Sequence, residues 1–214
     1  MDAATAQQDM RVISTLDELR EVVPEPHPSL WEKDIGRIDP TARTFIETSP
    51  FLLLATSAPD GTCDVTPRGD PAGSVLVLDE HTIVIADRRG NRRLDGLRNV
   101  LANPHVGLLF VVPGRSDTLR VNGTAQVVSE APFFDRLVVE GSRPVLALVV
   151  RVEELFLHCA KAFLRAGLWD PASWPDRAAV PSPGEMVRSM RDLDASVVPE
   201  IDAMLERDAA QNRY

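Results

Sequence analysis

The sequence predicts a mainly-β protein, a barrel or closed sheet with short helices at its flanks. Five or six short apolar segments recur along the chain, each bounded by Pro, Gly, Asp or Asn. Their spacing leaves room for tight turns between some of them and short helices between others. That arrangement fits a closed antiparallel sheet better than a regular parallel βαβ series. No internal repeat of useful length is visible.

The elements follow in order. Thr15–Val22 suits a short helix, stopped by the proline-rich run PEPHPSLWEK. Asp39 is placed to cap a second helix, Pro40 fits its first turn, and TARTFIET carries it to Ser49-Pro50, with Phe45 and Ile46 on the buried face. Phe51–Ser57 reads as a buried strand. Pro59-Asp60-Gly61 turns the chain so that Thr62–Thr66 returns beside it, and Pro67–Pro71 should break the ladder. Ser74–Leu78 and Thr82–Ala86 form a hairpin around Asp79-Glu80-His81, with Val75, Val77, Ile83 and Ile85 alternating inward. Leu94–Leu101 predicts a short helix ending before Asn103-Pro104. His105–Val112 and Thr118–Val128 are strands joined across Pro113-Gly114; Pro132–Glu140 is expected to be helical, and Val145–Leu157 is another strand. In the tail, Met190, Leu193, Val197 and Met204 share one side of an amphipathic helix that Pro199 divides, a satellite helix or a dimer contact.

Composition narrows the function. The 32 acidic residues exceed the 23 basic ones for a net charge of -9, which argues against nucleic acid as a partner. No apolar run approaches the roughly 18 residues of a membrane span. The opening MDAATAQQDMRVIS lacks a basic segment followed by an apolar core, so a cytoplasmic protein with Cys63 and Cys159 reduced is expected. His27, His81, His105 and His158 have no short ligand spacing, and no metal site is expected. Asp79-Glu80 and Glu153-Glu154 read as solvated charges.

Against this acidic background, Asp87–Arg93 (DRRGNRR) is conspicuous. It sets four arginines and a glycine directly after an alternating strand. Arg88 and Arg89 can leave the sheet, Gly90 permits a tight turn, and Arg92 and Arg93 begin the next helix. Guanidinium forks and helix N-terminal N–H groups together suit phosphate oxygens. The competing reading is a solvated arginine turn paired with surface carboxylates. Neither a P-loop nor GxGxxG is present. Phe110, Leu119 and Val121 are either walls of a ligand site or plain core. Asn122-Gly123, inside TLRVNGTA, reads as a bulge or a close backbone approach, and Arg120 points to an outer polar face.

Taken together, FLLLATSAPDGTCDVTPRGD (Phe51–Asp70), Asp87–Gly114 and LRVNG (Leu119–Gly123) resemble the pyridoxamine 5'-phosphate oxidase-like superfamily, in an uncharacterised branch carrying TPRGD and DRRGNRR. The resemblance spans about residues 40–165. It implies a Greek-key split β-barrel of the FMN-binding type with flanking α-helices, and a homodimer with FMN at the subunit interface. On that basis residues 1–39 form an N-terminal extension, 40–170 the barrel, and 171–214 a linker and helical tail. It carries Arg88, Asn91 and Arg92 over as phosphate or ribityl contacts, and Thr66, Pro67 and Arg68 as the segment along the flavin. The arginine-to-lysine phosphate-binding arrangement of the better-known oxidases does not map onto DRRGNRR, which leaves a cofactor other than FMN open. Pyridoxamine phosphate is not the expected substrate, because the resemblance reaches the flavin frame more clearly than the substrate-selective residues. In the same branch an HCAKA-to-LW segment follows the barrel. His158 is therefore the expected proton-transfer group, and Lys161 and Arg165 the expected contacts to an anionic substrate, reaching the partner's site. The resulting expectation is an FMN-dependent oxidoreductase on a small molecule, with a nicotinamide or other small redox partner. A non-catalytic flavin-binding or sensor protein is the alternative.

Overall fold

The computed structural model describes residues 10–214. The chain divides after Lys33 into two units. In the first, helix α1 (Leu16–Val22) opens on a capping box in which the Thr15 side chain accepts from the Glu18 N–H and the Glu18 carboxylate accepts from the Thr15 N–H.

The second unit holds the barrel. Its elements are α2 (Pro40–Thr48), β1 (Phe51–Ser57), β2 (Cys63–Gly69), β3 (Leu76–Asp79), β4 (Thr82–Asp87), α3 (Asp95–Ala102), β5 (His105–Val111), β6 (Thr118–Val128), β7 (Leu146–His158), α4 (Lys161–Ala166), α5 (Pro183–Arg191) and α6 (Val198–Gln211). Seven strands form one antiparallel sheet in the order β2-β1-β5-β6-β7-β4-β3. The β3–β4 hairpin lies between β2 and β5 in sequence yet sits at the far edge of the sheet. This crossing gives the Greek-key character, and it leaves β2 and β3 as unpaired edges: the barrel is split.

Alternation along the strands sends Leu52, Leu54, Val77, Ile83, Ile85, Leu108, Phe110, Leu119, Val121, Leu148 and Val150 into one core, closed by Ala42 and Ile46 of α2 and by Leu97 and Val100 of α3. Phe110, Leu119 and Val121 are thus core rather than ligand walls. The Asp39 carboxylate accepts from the Ala42 N–H at 2.7 Å, capping α2 as its sequence requires. A second cluster lies on the other face, where Leu76, Val84, Ala86 and Ala147 pack with Phe134 and Leu137.

Three local expectations are corrected. Pro67–Gly69 does not break the ladder but stays in β2, paired with Leu53, Leu52 and Phe51. An edge strand tolerates the missing proline N–H because that side needs no partner. Pro132–Glu140 forms only a 3-10 turn over Phe134–Leu137, whose two ends are fully buried; the three-residue spacing of a 3-10 turn puts both on one face. Pro199 does not divide a helix but sits in the first turn of α6, and the break falls between Arg191 and Val198. Met190, Leu193 and Met204 remain exposed. Ahead of α2, Ile35 bridges Leu155, and the Ile38 N–H donates to the Glu80 carbonyl.

Gly123 shows both features its sequence suggested. The β6–β7 register shifts between Asn122 and Gly123, and a Cβ there would run into the Arg151 carbonyl oxygen, which belongs to rigid backbone. Gly123→Ala should therefore destabilise the fold by on the order of 3 kcal/mol in chemical denaturation. Gly90→Ala, with open space around the new methyl group, should change stability by less than about 0.5 kcal/mol.

Candidate anion-binding site at the barrel seam

The split of the barrel is bridged by side chains. Along β2 exposed residues alternate with half-buried ones, so Asp64, Thr66 and Arg68 share the covered side. Arg68 Nη1 donates to Asp87 Oδ1 at 2.6 Å, joining β2 to the last residue of β4. Just past the ends of the same two strands, Arg88 Nε donates to Asp70 Oδ2 at 2.7 Å. Each strand end thus supplies one cation and one anion, and all four side chains are only 14–20% exposed. Charge-assisted bonds in such partial burial are stronger than surface pairs.

Two clefts flank this double bridge. The larger, about 890 Å3, is lined by Thr66–Arg68, Asp87–Leu97, Ser142–Leu146 and Tyr214. The smaller, about 340 Å3, shares Pro67, Arg68 and Arg88–Gly90 with it and adds Ser74 and Arg213. Thr66, Pro67, Arg68, Arg88, Asn91 and Arg92, the residues expected to contact a cofactor, all line the larger cleft.

The loop that brings them there is not built as its sequence suggested. Gly90 is not in the left-handed region; that conformation falls on Arg92 (φ 61) and Leu94 (φ 60). Non-glycine residues held there store on the order of 1–2 kcal/mol each, and such strain gathers at ligand sites. The Asn91 side chain accepts from the Arg93 N–H at 3.0 Å and so shapes the loop. Arg92 and Arg93 precede α3 rather than begin it, and no side chain caps the helix at Leu94. The free N–H groups of its first turn give the cleft wall that Leu94–Leu97 form a positive contribution, which the Asp95 carboxylate in the same turn partly offsets. From within α3, the Asn99 amide donates to Thr56 Oγ1 at 3.0 Å and to Asp64 Oδ2 at 2.8 Å, fixing the helix against β1 and β2.

Both readings of the arginine turn are partly realised. Arg68, Arg88 and Arg93 pair with Asp87, Asp70 and Asp95, while among the described residues Arg89 and Arg92 make no ion pair. The pairing is also incomplete. From Asp34 onward, the buried side-chain nitrogen and oxygen atoms without a hydrogen-bond partner among the described residues are Thr66 Oγ1, Arg68 Nε, Asp70 Oδ1 and Arg88 Nη1 and Nη2. All belong to the seam. Buried donors without partners are costly and therefore rare.

Sequence reasoning missed Arg143 and Tyr214. Arg143 is held by Glu130 at 2.8 Å and Asp135 at 3.2 Å, and these two bonds raise its pKa above the usual arginine value. Nothing in the stretch Ser142-Arg143-Pro144 signals a site. Conversely, His158, Lys161 and Arg165 line neither cleft; they lie at and beyond the end of β7 opposite Leu146. Arg120 lies on the outer surface, its guanidinium 5.0 Å from the Phe156 ring. Among the described residues no cluster of three His, Cys, Asp or Glu side chains is placed to hold a metal, and no helix is long and apolar enough to cross a membrane.

The family model for pyridoxamine 5'-phosphate oxidase matches residues 38–159, from the entry to the barrel to the end of β7. Among solved structures, the chain is similar to HupZ of Group A Streptococcus at 20% identity, over 56% of this chain and 93% of that one, with a TM-score of 0.45. An FMN-binding protein of Syntrophomonas wolfei is similar at 13% identity, over 55% and 88% of the two chains, with a TM-score of 0.42. HutZ, the heme storage protein of Vibrio cholerae, is similar at 17% identity, over 56% and 94%, with a TM-score of 0.40. No curated protein matches.

The double bridge makes a stability prediction. Asp87→Asn and Asp70→Asn each leave a largely buried guanidinium without its carboxylate, and each should lower the unfolding free energy by about 2 kcal/mol. Urea denaturation followed by tryptophan fluorescence measures the change.

Proposed function

The chain belongs to the pyridoxamine 5'-phosphate oxidase family, and from that premise we propose that it is an FMN-dependent oxidoreductase acting on a small molecule. The observation that carries this reading is the set of buried, unpartnered donors at the seam, which suits an anionic group with several oxygens.

The residues present fit FMN. Arg88 and Arg92 supply charge-assisted donors for its phosphate, with Arg68 Nε alongside. Thr66 and Asn91 are polar groups suited to the ribityl chain, and Pro67 gives a flat apolar edge. The cleft volume of about 890 Å3 lies within the range of cofactor pockets. When bound, FMN supplies hydride acceptance and one- or two-electron transfer. The protein's part is to orient it, to neutralise its phosphate and to manage protons. Reduced nicotinamide or another small redox partner would serve as electron donor.

A homodimer with flavin at the subunit interface completes this proposal. In it His158 would exchange a proton, and Lys161 and Arg165 would hold an anionic substrate, at the partner's flavin rather than their own. One observation favours the alternative, a flavin-binding or sensor protein without turnover: no histidine or lysine lines either cleft within one chain.

The purified protein should be yellow, with a native mass spectrum of two subunits carrying two FMN. Arg88→Ala and Arg92→Ala should each weaken FMN about tenfold or more and leave riboflavin nearly unchanged, since only FMN has the phosphate. Equilibrium dialysis with both flavins measures this, and equal loss of the two would rule the arginines out as phosphate ligands.

Turnover separates the enzyme from the binding protein. Anaerobic stopped-flow mixing with reduced nicotinamide should bleach the flavin absorbance, and His158→Ala should slow the bleaching or its reversal without shifting the unfolding midpoint. A flavin that no donor reduces supports the binding role.

A further inference from the structure

We propose that Tyr214 is a built-in stopper of the seam site, which must leave Arg88 before that guanidinium takes an anionic oxygen, so that displacement of the tail governs loading. The proposal deepens the FMN reading and rests on it for the identity of the natural ligand.

Three observations meet at one side chain. The Arg88 guanidinium lies over the Tyr214 ring, 5.7 Å from its centroid. Both Nη atoms of Arg88 are out of contact with solvent and without a hydrogen-bond partner, so no ligand can reach them while the covering groups stay. Tyr214 itself is half-buried and forms part of the larger cleft, while its neighbour Arg213 lines the smaller one. The tail therefore lies along both clefts at the strand ends where the double bridge sits.

The tail leading to this place is internally braced. Asp202 of α6 accepts from Ser182 Oγ and from the Gly184 N–H, both at 2.7 Å, which clasps α6 to the start of α5. At Gly184 a Cβ would press on the Val198 carbonyl oxygen at 2.7 Å, so only glycine allows this approach. Past α6, the Asn212 side chain donates back to Asp208 at 2.7 Å and turns the chain.

The seat is stable but replaceable. Burial, and after it the negative charge of Asp70 and a hydrogen bond to its carboxylate, push the Tyr214 phenol above its ordinary pKa, so the ring remains neutral on Arg88 at physiological pH. The groups facing it are Asp70, Glu140 and Arg88, of which the two acids raise the pKa and the arginine lowers it. A π-face is a modest partner for a guanidinium, whereas a phosphate offers charged oxygens in bidentate geometry. A phosphorylated ligand should therefore win the exchange at the expense of part of its affinity, the reduction expected when only the open fraction of molecules is competent.

Tyr214 is the only tyrosine in the chain, so a ring-13C-tyrosine label gives one set of NMR signals that reports the stopper alone. Titrating the full chain with pyrophosphate, and separately with FMN, should shift those signals toward the positions of an exposed tyrosine. Tyr214→Ala should bind FMN about threefold or more tightly, through a faster association rate, while Tyr214→Phe, which keeps the ring on Arg88 but loses the phenol's hydrogen bond to Asp70, should fall between the two. An unmoved tyrosine signal in the presence of bound FMN, or weaker FMN binding by Tyr214→Ala, overturns the proposal; the latter would make Tyr214 a wall of the cofactor site. If FMN fails to bind either form but pyrophosphate displaces the ring, the stopper stands and the FMN reading falls. If neither ligand binds the natural chain or Tyr214→Ala, the stopper is rejected as well.

Discussion

The reciprocal ion pairs Arg68–Asp87 and Arg88–Asp70 are the constraint on which the rest of this structure turns. Strand order places β2 and β3 at opposite edges, so backbone hydrogen bonds cannot close the barrel between them. The opening is spanned instead from the end of β2 to the end of β4, the neighbour of β3, by four largely buried side chains that cancel one another's charge. Burial of a lone guanidinium or carboxylate would be prohibitive, whereas two crossed pairs satisfy much of the cost. They also fix the spatial relation between the TPRGD strand end and the DRRGNRR loop, which are remote in sequence.

The same arrangement explains how a chain of net charge -9 can present a cation-rich cleft. Asp70 and Asp87 take one edge of each guanidinium, leaving Arg68 Nε and the Arg88 Nη atoms without partners. Among the described residues Arg89 and Arg92 make no ion pair and add positive potential to the cleft, while Asp95 in the uncapped first turn of α3 offsets part of that helix end's own. In the proposed reading the same residue types serve two purposes, joining the barrel and binding an anion. Substitutions at Arg88 will mix the two effects unless stability and ligand affinity are measured together.

Left-handed backbone at Arg92 and Leu94 belongs to the same design. A glycine at either position would relax the loop at no steric cost, but it would also give up the guanidinium of Arg92 or the side chain of Leu94. The strain is tolerated because the α3 body is anchored through Leu97, Val100 and the Asn99 amide. A firmly packed helix can hold an unfavourable entry, which a loosely held one would release.

Much of the barrel was legible from the residues themselves. Period-two alternation located the strands, Asp39-Pro40 marked the start of α2, and Gly123 announced its bulge, because each signal acts within a few residues of itself. The residues expected to contact a cofactor, though spread over two segments, do share one cleft. Context-dependent features were not legible. Pro67 reads as a breaker until β2 is known to be an edge, and Phe134 and Leu137 read as helix until the second core cluster is seen to hold them in a single 3-10 turn. Asp70 and Asp87 carry no local mark of their partners, and Tyr214 none of its seat on Arg88. Sequence alone determined the local backbone preferences and the faces that must be buried, since periodicity and capping are short-range. Only the tertiary structure decided which charges meet across the seam, because that depends on strand order and register, which bring distant residues within hydrogen-bonding range.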